Sequence, residues 1–310
     1  MKKINKLKWL LGACILVMQS SLACDICGCG VGNSYVGILP DFNREIIGIR
    51  YRFNSLLSHL GRDGMHTYLT TEESYQTLEL WGGWNIGRHF RVMASLPYSL
   101  DKQTNQGTTK SKNGIGDISV SGYYQLLNSR SAAGDHHLLV QSLWLGGSVK
   151  LPTGQYNPKD KSLIDENANL FQLGTGSVDF SINGMYDVRI QDLGLNVTAN
   201  YKINTTNAYN YRYGNKFSSS GQFYYKFRTK KSLIIAPNAG ILFESGQRDT
   251  DHGFTVDISG GSLTMATLGV ELAYQRISLG GNWQTPVSQR LAEGVIRANN
   301  RFMLHLAIAI

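Results

Sequence analysis

Between Asp192 and Asn204 apolar and polar residues alternate almost without a break. Leu193, Leu195, Val197, Ala199, Tyr201 and Ile203 take one side, and Gly194, Asn196, Thr198, Asn200, Lys202 and Asn204 take the other. A repeat of two lays the apolar set along one face of a β-strand, whereas helical spacing would scatter it around the axis. The same parity recurs from Arg44 to the end of the chain. It predicts strands near 44–53, 73–86, 88–98, 115–127, 137–151, 177–190, 192–204, 215–228, 232–245, 262–275, 277–286 and 299–310. Most are longer than the usual soluble strand of about 5–6 residues. A tilted strand crosses the hydrocarbon of a bilayer with about 9–11 residues, which these stretches supply.

The connections alternate as well. Tight turns are expected around Gly87-Arg88, Gln191, Thr229-Lys230-Lys231 and Arg276, with a somewhat longer one over 128–136. The links 54–72, 99–114, 152–176, 205–214, 246–261 and 287–298 are long. Short turns at one end and long loops at the other are the signature of a barrel with periplasmic turns and extracellular loops. The expected fold is therefore all-β: a transmembrane antiparallel up-and-down β-barrel of about twelve strands over 44–310, an even number as single-chain bacterial barrels require. That places the chain in the outer membrane of a Gram-negative bacterium, with membrane lipid and the barrel-assembly machinery as partners.

Aromatic residues give an independent check. On the apolar faces Trp84, Phe90, Tyr124, Tyr186, Phe227 and Tyr274 fall near the short-turn ends. Phe53, Phe180, Tyr201, Phe217, Phe243, Trp283 and Phe302 fall near the long-loop ends. Two aromatic girdles around an aliphatic band suit a lipid-facing wall. A soluble β-sandwich would instead gather its aromatics at mid-strand. Pro237 sits inside a strand, where it removes a ladder donor, and a bulge is expected there.

The first residues bear on compartment. Lys2, Lys3, Lys6 and Lys8, an apolar run from Trp9 to Met18, and Ser21-Leu22-Ala23 read as a secretory signal peptide over 1–23. Removing its four lysines lowers the formal charge from +8 to +4, and no basic run suggests nucleic acid. A Cys-rich periplasmic segment, 24–43, follows. Cys24, Cys27 and Cys29 stand within six residues and suit a soft ion, Cu(I) or Zn(II), although a closed tetrahedral zinc site needs a fourth ligand. A disulfide between two of the thiols and lipidation of Cys24 are the competing readings. No other cofactor is indicated.

The inward parity collects Arg50, Arg52, Glu79, Asp117, Asp179, Lys202 and Lys226, which are the candidate lumen or solute-contacting residues. Both signs occur, so these charges either pair and rigidify the interior or meet a solute. Catalysis has little support, because the seven histidines are dispersed and no nucleophile, base and orienting group are seen to converge, and a lipid-modifying barrel enzyme is the third reading. His305 alone among them faces the lumen well inside a strand. Loop 152–176 is long enough to fold into the mouth, with Gly154, Gly174 and Gly176 as its hinges.

Three ordered segments add a family likeness. Gly114-Ile115-Gly116-Asp117-Ile118 leads into one strand, Lys150-Leu151-Pro152-Thr153-Gly154 closes another, and Leu173-Gly174-Thr175-Gly176-Ser177-Val178-Asp179-Phe180 opens the next. The set resembles the MetA-pathway of phenol degradation family of outer-membrane transporters. The resemblance implies a barrel that admits small molecules, hydrophobic and aromatic compounds among them. The expected function is thus an outer-membrane channel or transporter rather than an enzyme. A structural or binding barrel with a periplasmic soft-metal site is the alternative.

Overall fold

The computed structural model describes residues 44–61, 64–133, 137–160, 169–229 and 232–310. The leader 1–23 and the segment 24–43, with Cys24, Cys27 and Cys29, lie outside the described residues.

Twelve long strands build the wall. They are β1 (Ile46–Ser58), β2 (Thr71–Ile86), β3 (Phe90–Asn105), β5 (Ser119–Ala133), β6 (His137–Lys150), β7 (Asp179–Ile190), β8 (Leu193–Ile203), β10 (Lys216–Tyr225), β12 (Leu233–Gly246), β15 (Gly261–Tyr274), β16 (Ile277–Leu291) and β17 (Arg297–Ala309). Each pairs antiparallel with its sequence neighbours along the wall, and β17 pairs with β1 from Ile46↔Ala309 to Leu57↔Arg297. The sheet is closed, so no wall strand leaves an unpaired edge in lipid. All twelve strands expected from the alternation are present, and β1, β3 and β16 run on by five to seven residues at the long-loop end.

Burial along the wall runs opposite to that of a soluble protein. Outward Ile182 and Leu268 are 64% and 56% exposed, while inward Arg91 and Lys202 are 0% and 1% exposed. An apolar surface of this extent is tolerated only against lipid. Trp84, Phe90, Tyr124, Phe227 and Tyr274 are exposed toward the short turns, and Phe180, Tyr201, Phe217, Phe243, Trp283 and Phe302 toward the long loops. Between them lies an aliphatic band that includes Ile49, Leu80, Val120, Val197, Ile241 and Leu306.

Three features were not readable from alternation. The link after β3 contains β4 (Thr108–Ile115), a hairpin partner that extends β3 above the wall from Tyr98↔Ile115 to Asn105↔Thr108. Two later links supply β9 (Tyr211–Arg212), β13 (Thr250–Asp251) and β14 (Phe254–Thr255), which form a separate three-stranded cover. At Pro237 there is no bulge. The ladder with β15 runs on through Pro237↔Val270, and the opposite ladder is interrupted between Tyr224↔Asn238 and the short β11 (Phe227–Arg228), which pairs at Phe227↔Ile235 in the same register. The missing N–H thus costs a local gap instead of an inserted residue. True register shifts fall at Asn54/Leu56, Gln125/Leu127 and Thr264/Met265.

Candidate functional site: a half-filled lumen under a folded-in loop

At the long-loop mouth the three ordered segments of the sequence meet. Lys150, at the end of β6, pairs with Asp117 and lies 2.8 Å from Asp179, and Lys202 of β8 lies 3.2 Å from Asp179. The Gly154 and Thr175 N–H groups each donate to Asp117 at 2.9 Å, and the Thr205 N–H donates to Asp179 at 3.0 Å. Ser177 Oγ donates to Asp179 at 2.8 Å, while Lys150 also donates to Thr175. Two carboxylates and two ammoniums, all buried, therefore tie both ends of loop 152–176 to the wall. Such a group holds together because each charge is paired and hydrogen-bonded. Gly154 and Gly174 are contact points rather than hinges. A Cβ on Gly154 would stand 2.7 Å from the Leu173 carbonyl, and one on Gly174 would stand 2.7 Å from the Gly154 carbonyl. Gly176 has φ +69°, the left-handed region that glycine tolerates.

The described part of the loop folds inward. Gln172 bridges the two legs, donating to the Asn157 carbonyl at 2.8 Å and accepting from the Asn157 N–H at 2.8 Å. Leu170 and Phe171 are buried in an apolar cluster with Leu56, Leu263, Met265 and Leu291. Lys112 of β4 holds the segment from above. Its ammonium donates to the Phe171 carbonyl, sits 4.8 Å from the Phe171 ring centroid and pairs with Asp160 at 2.5 Å. Beside this segment, Tyr211 of β9 donates to Asp249, and Tyr213 donates to the Asn169 carbonyl at 3.0 Å. Further out, hydrogen bonds from Arg248 and Arg290 hold the Glu293 carboxyl below the usual range.

Inside the barrel, Arg50 and Arg52 share the Glu79 carboxylate at 3.0 and 3.2 Å, and Arg301 pairs with Glu244 at 2.8 Å. Toward the short-turn end, Tyr224 donates to Asp187 at 3.0 Å, and the Lys226 ammonium lies 5.2 Å from the Tyr224 ring centroid. The structure thus gathers Asp117, Asp179 and Lys202 in one group and Arg50, Arg52 and Glu79 in another. Lys226 belongs to neither. Lys150, the ammonium that joins Asp117 to Asp179, was missing from the candidates, although its place in the second motif and its inward parity marked it.

The lumen is filled unevenly. On β10, β12, β15, β16 and β17 the inward Gln222, Leu242, Thr267, Asn282 and Met303 are buried. On β3, β5, β6 and β8 the inward Ser95, Ser121, Ser148 and Thr198 are only half-buried. Those residues face away from lipid, so their exposure marks open space along one side of the interior.

Residues 64–285 match the model of the family described as MetA-pathway of phenol degradation. The chain belongs to this family. The match takes in all three ordered segments and nine complete wall strands, from β2 to β15. Among solved structures, this family member is similar to an outer membrane channel from Pseudomonas putida F1, with a TM-score of 0.64 and 12% identity over 90% of this chain and 100% of that one. That likeness establishes the outer-membrane type of fold. The β domain of the Bordetella autotransporter BrkA (TM-score 0.46, 10% identity, 86% of this chain and 100% of that) also matches. So does the transport unit of the autotransporter AIDA-I from Escherichia coli (0.46, 11%, 90% and 94%). No curated protein matches in sequence.

Proposed function

We propose that the protein is an outer-membrane channel for small molecules, with a narrow path along one wall and loop 152–176 as its plug. The observation that carries this reading is the uneven lumen: at mid-barrel the inward side chains of one side are buried, and on the other Ser95, Ser121, Ser148 and Thr198 are small and only half-buried. Twelve-stranded barrels lie between the side-chain-filled eight-stranded kind and the aqueous sixteen-stranded porins, so a restricted path fits the size. The family's description connects its members with phenol degradation, and the apolar cluster around Phe171 gives a hydrophobic or aromatic solute its first contact at the mouth. Export by the leader 1–23 and insertion by the barrel-assembly machinery, with the segment 24–43 left in the periplasm of a Gram-negative cell, complete the proposal.

Flux through the refolded protein in liposomes tests it. Deleting 158–171 should raise small-solute flux severalfold, because Leu170 and Phe171 then leave the mouth. Absence of flux both before and after the deletion would sink the channel reading.

A further inference from the structure

Between the charged groups at the loop mouth and those at the turn end, the open wall carries a different chemistry. Ser95, Ser119, Ser121, Ser148, Thr198 and Asn200 all point inward and are half-buried, and none is charged. They form cross-strand pairs. Ser95 and Ser119 share a hydrogen bond of 2.8 Å between β3 and β5, and Ser121 stands opposite Ser148 in the β5–β6 ladder. Asn183 of β7 donates to Ser148 at 3.2 Å and accepts from Asn200, and Thr198 bonds Ser220 of β10 at 2.8 Å. Hydroxyls and carboxamides therefore continue across six strands in succession.

The pattern carries on around the filled side. Gln222, Gly240 and Thr267 are consecutive partners across β10, β12 and β15, and Asn238, Gly269 and Asn282 across β12, β15 and β16. Here Gln222 Oε1, Asn238 Oδ1, Thr267 Oγ1 and Asn282 Nδ2 are buried and make no hydrogen bond among the described residues. A Cβ on Gly269 would lie 2.7 Å from Asn238 Oδ1 and 3.0 Å from Asn282 Nδ2, so the two carboxamides lean over a residue without a side chain. Buried polar atoms left unpaired oppose a tightly closed interior and favour any state in which they find partners.

We propose that this mid-barrel belt is a binding station for uncharged, hydroxyl-bearing solutes in transit. The inference rests on the channel reading above and deepens it. Each wall hydroxyl offers one donor and two acceptor lone pairs, and a Ser–Ser pair uses only one donor and one acceptor between them. A polyol can exchange its bonds to water for bonds to such a wall at little net cost. A small ion gains less, because removing it from water is expensive and the belt residues themselves offer only dipoles. The nearby guanidiniums are already engaged, since Arg50 and Arg52 share Glu79, and Arg301 pairs with Glu244.

The test compares erythritol with erythronate, the same carbon skeleton carrying one carboxylate, in liposome-swelling assays on the full chain with residues 158–171 removed. Erythritol should enter severalfold faster. A Ser121→Ala/Ser148→Ala/Thr198→Val variant should lower erythritol entry severalfold and leave salt conductance within about twofold, with retained heat-modifiable mobility confirming a folded barrel. Partial recovery of erythritol entry is expected when Thr198→Ser replaces Thr198→Val in the variant, since serine restores the hydroxyl alone. Equal rates for the two solutes, or a triple variant that passes erythritol as fast as its parent, would overturn the belt while the measured salt conductance still upholds a channel. No passage of salt, erythritol or erythronate would overturn the channel reading and the belt with it.

Discussion

Lys150 sits where three distant stretches of sequence share charge. Its ammonium serves Asp117 and Asp179 at once, and its own side chain is only 6% exposed. Replacing it with Met would leave two buried carboxylates short of a partner, Asp179 retaining Lys202 alone. Losing one member of a buried ion group typically costs about 3–5 kcal/mol. Lys150→Met should therefore loosen the base of loop 152–176, seen as faster proteolysis within the loop and an earlier urea transition. Unchanged proteolysis would mean that the backbone hydrogen bonds to Asp117 and Asp179 suffice. A second residue-scale contrast tests the two faces. Val197 looks into lipid and Asn196 into the lumen. Val197→Arg should cost about 2–4 kcal/mol in folding into bilayers. Asn196→Arg should cost clearly less, and equal losses would refute the assigned parity.

At the scale of elements, the plug depends on a hairpin that the alternation did not reveal. β4 carries Lys112 over the mouth, where it holds Phe171 through its carbonyl and its ring and also reaches Asp160. The grip is local, and the plug's other support is apolar packing against Leu56, Leu263, Met265 and Leu291. Lys112→Met should raise the open fraction in single-channel records modestly, Phe171→Gly more strongly, and the two together most. If Lys112→Met leaves gating unaltered, the latch has no role beyond packing. Pro237 teaches a related lesson about strands. One missing donor suspends a ladder for two residues while the register continues, because the opposite ladder with β15 keeps β12 in place.

For the whole molecule, alternating short turns and long loops set which end faces the cell exterior. Protease added to intact cells should cut at the exposed tips, such as Gln106-Gly107 or His252-Gly253, where positive φ marks tight turns. Cleavage restricted to the opposite end, at Gln191 or Gln275, would invert the topology. The sequence alone determined the strand count, the lipid and lumen faces and the aromatic girdles. These follow from a period of two, which is local and repeats in every strand. It also marked Asp117, Asp179 and Lys202 as inward charges, and loop 152–176 as long enough to enter the mouth. Only the tertiary structure decided that Asp117 and Asp179 clamp a loop through Lys150, that Gly154 and Gly174 are points of backbone contact, and that Phe171 packs into an apolar cluster with Leu56, Leu263, Met265 and Leu291. It alone showed, at mid-barrel, buried inward side chains on one side and half-buried hydroxyls on the other. The reason is physical: which inward side chains meet depends on strand stagger and barrel closure, which set distances across the interior, whereas alternation reports only the side of a strand on which a residue lies.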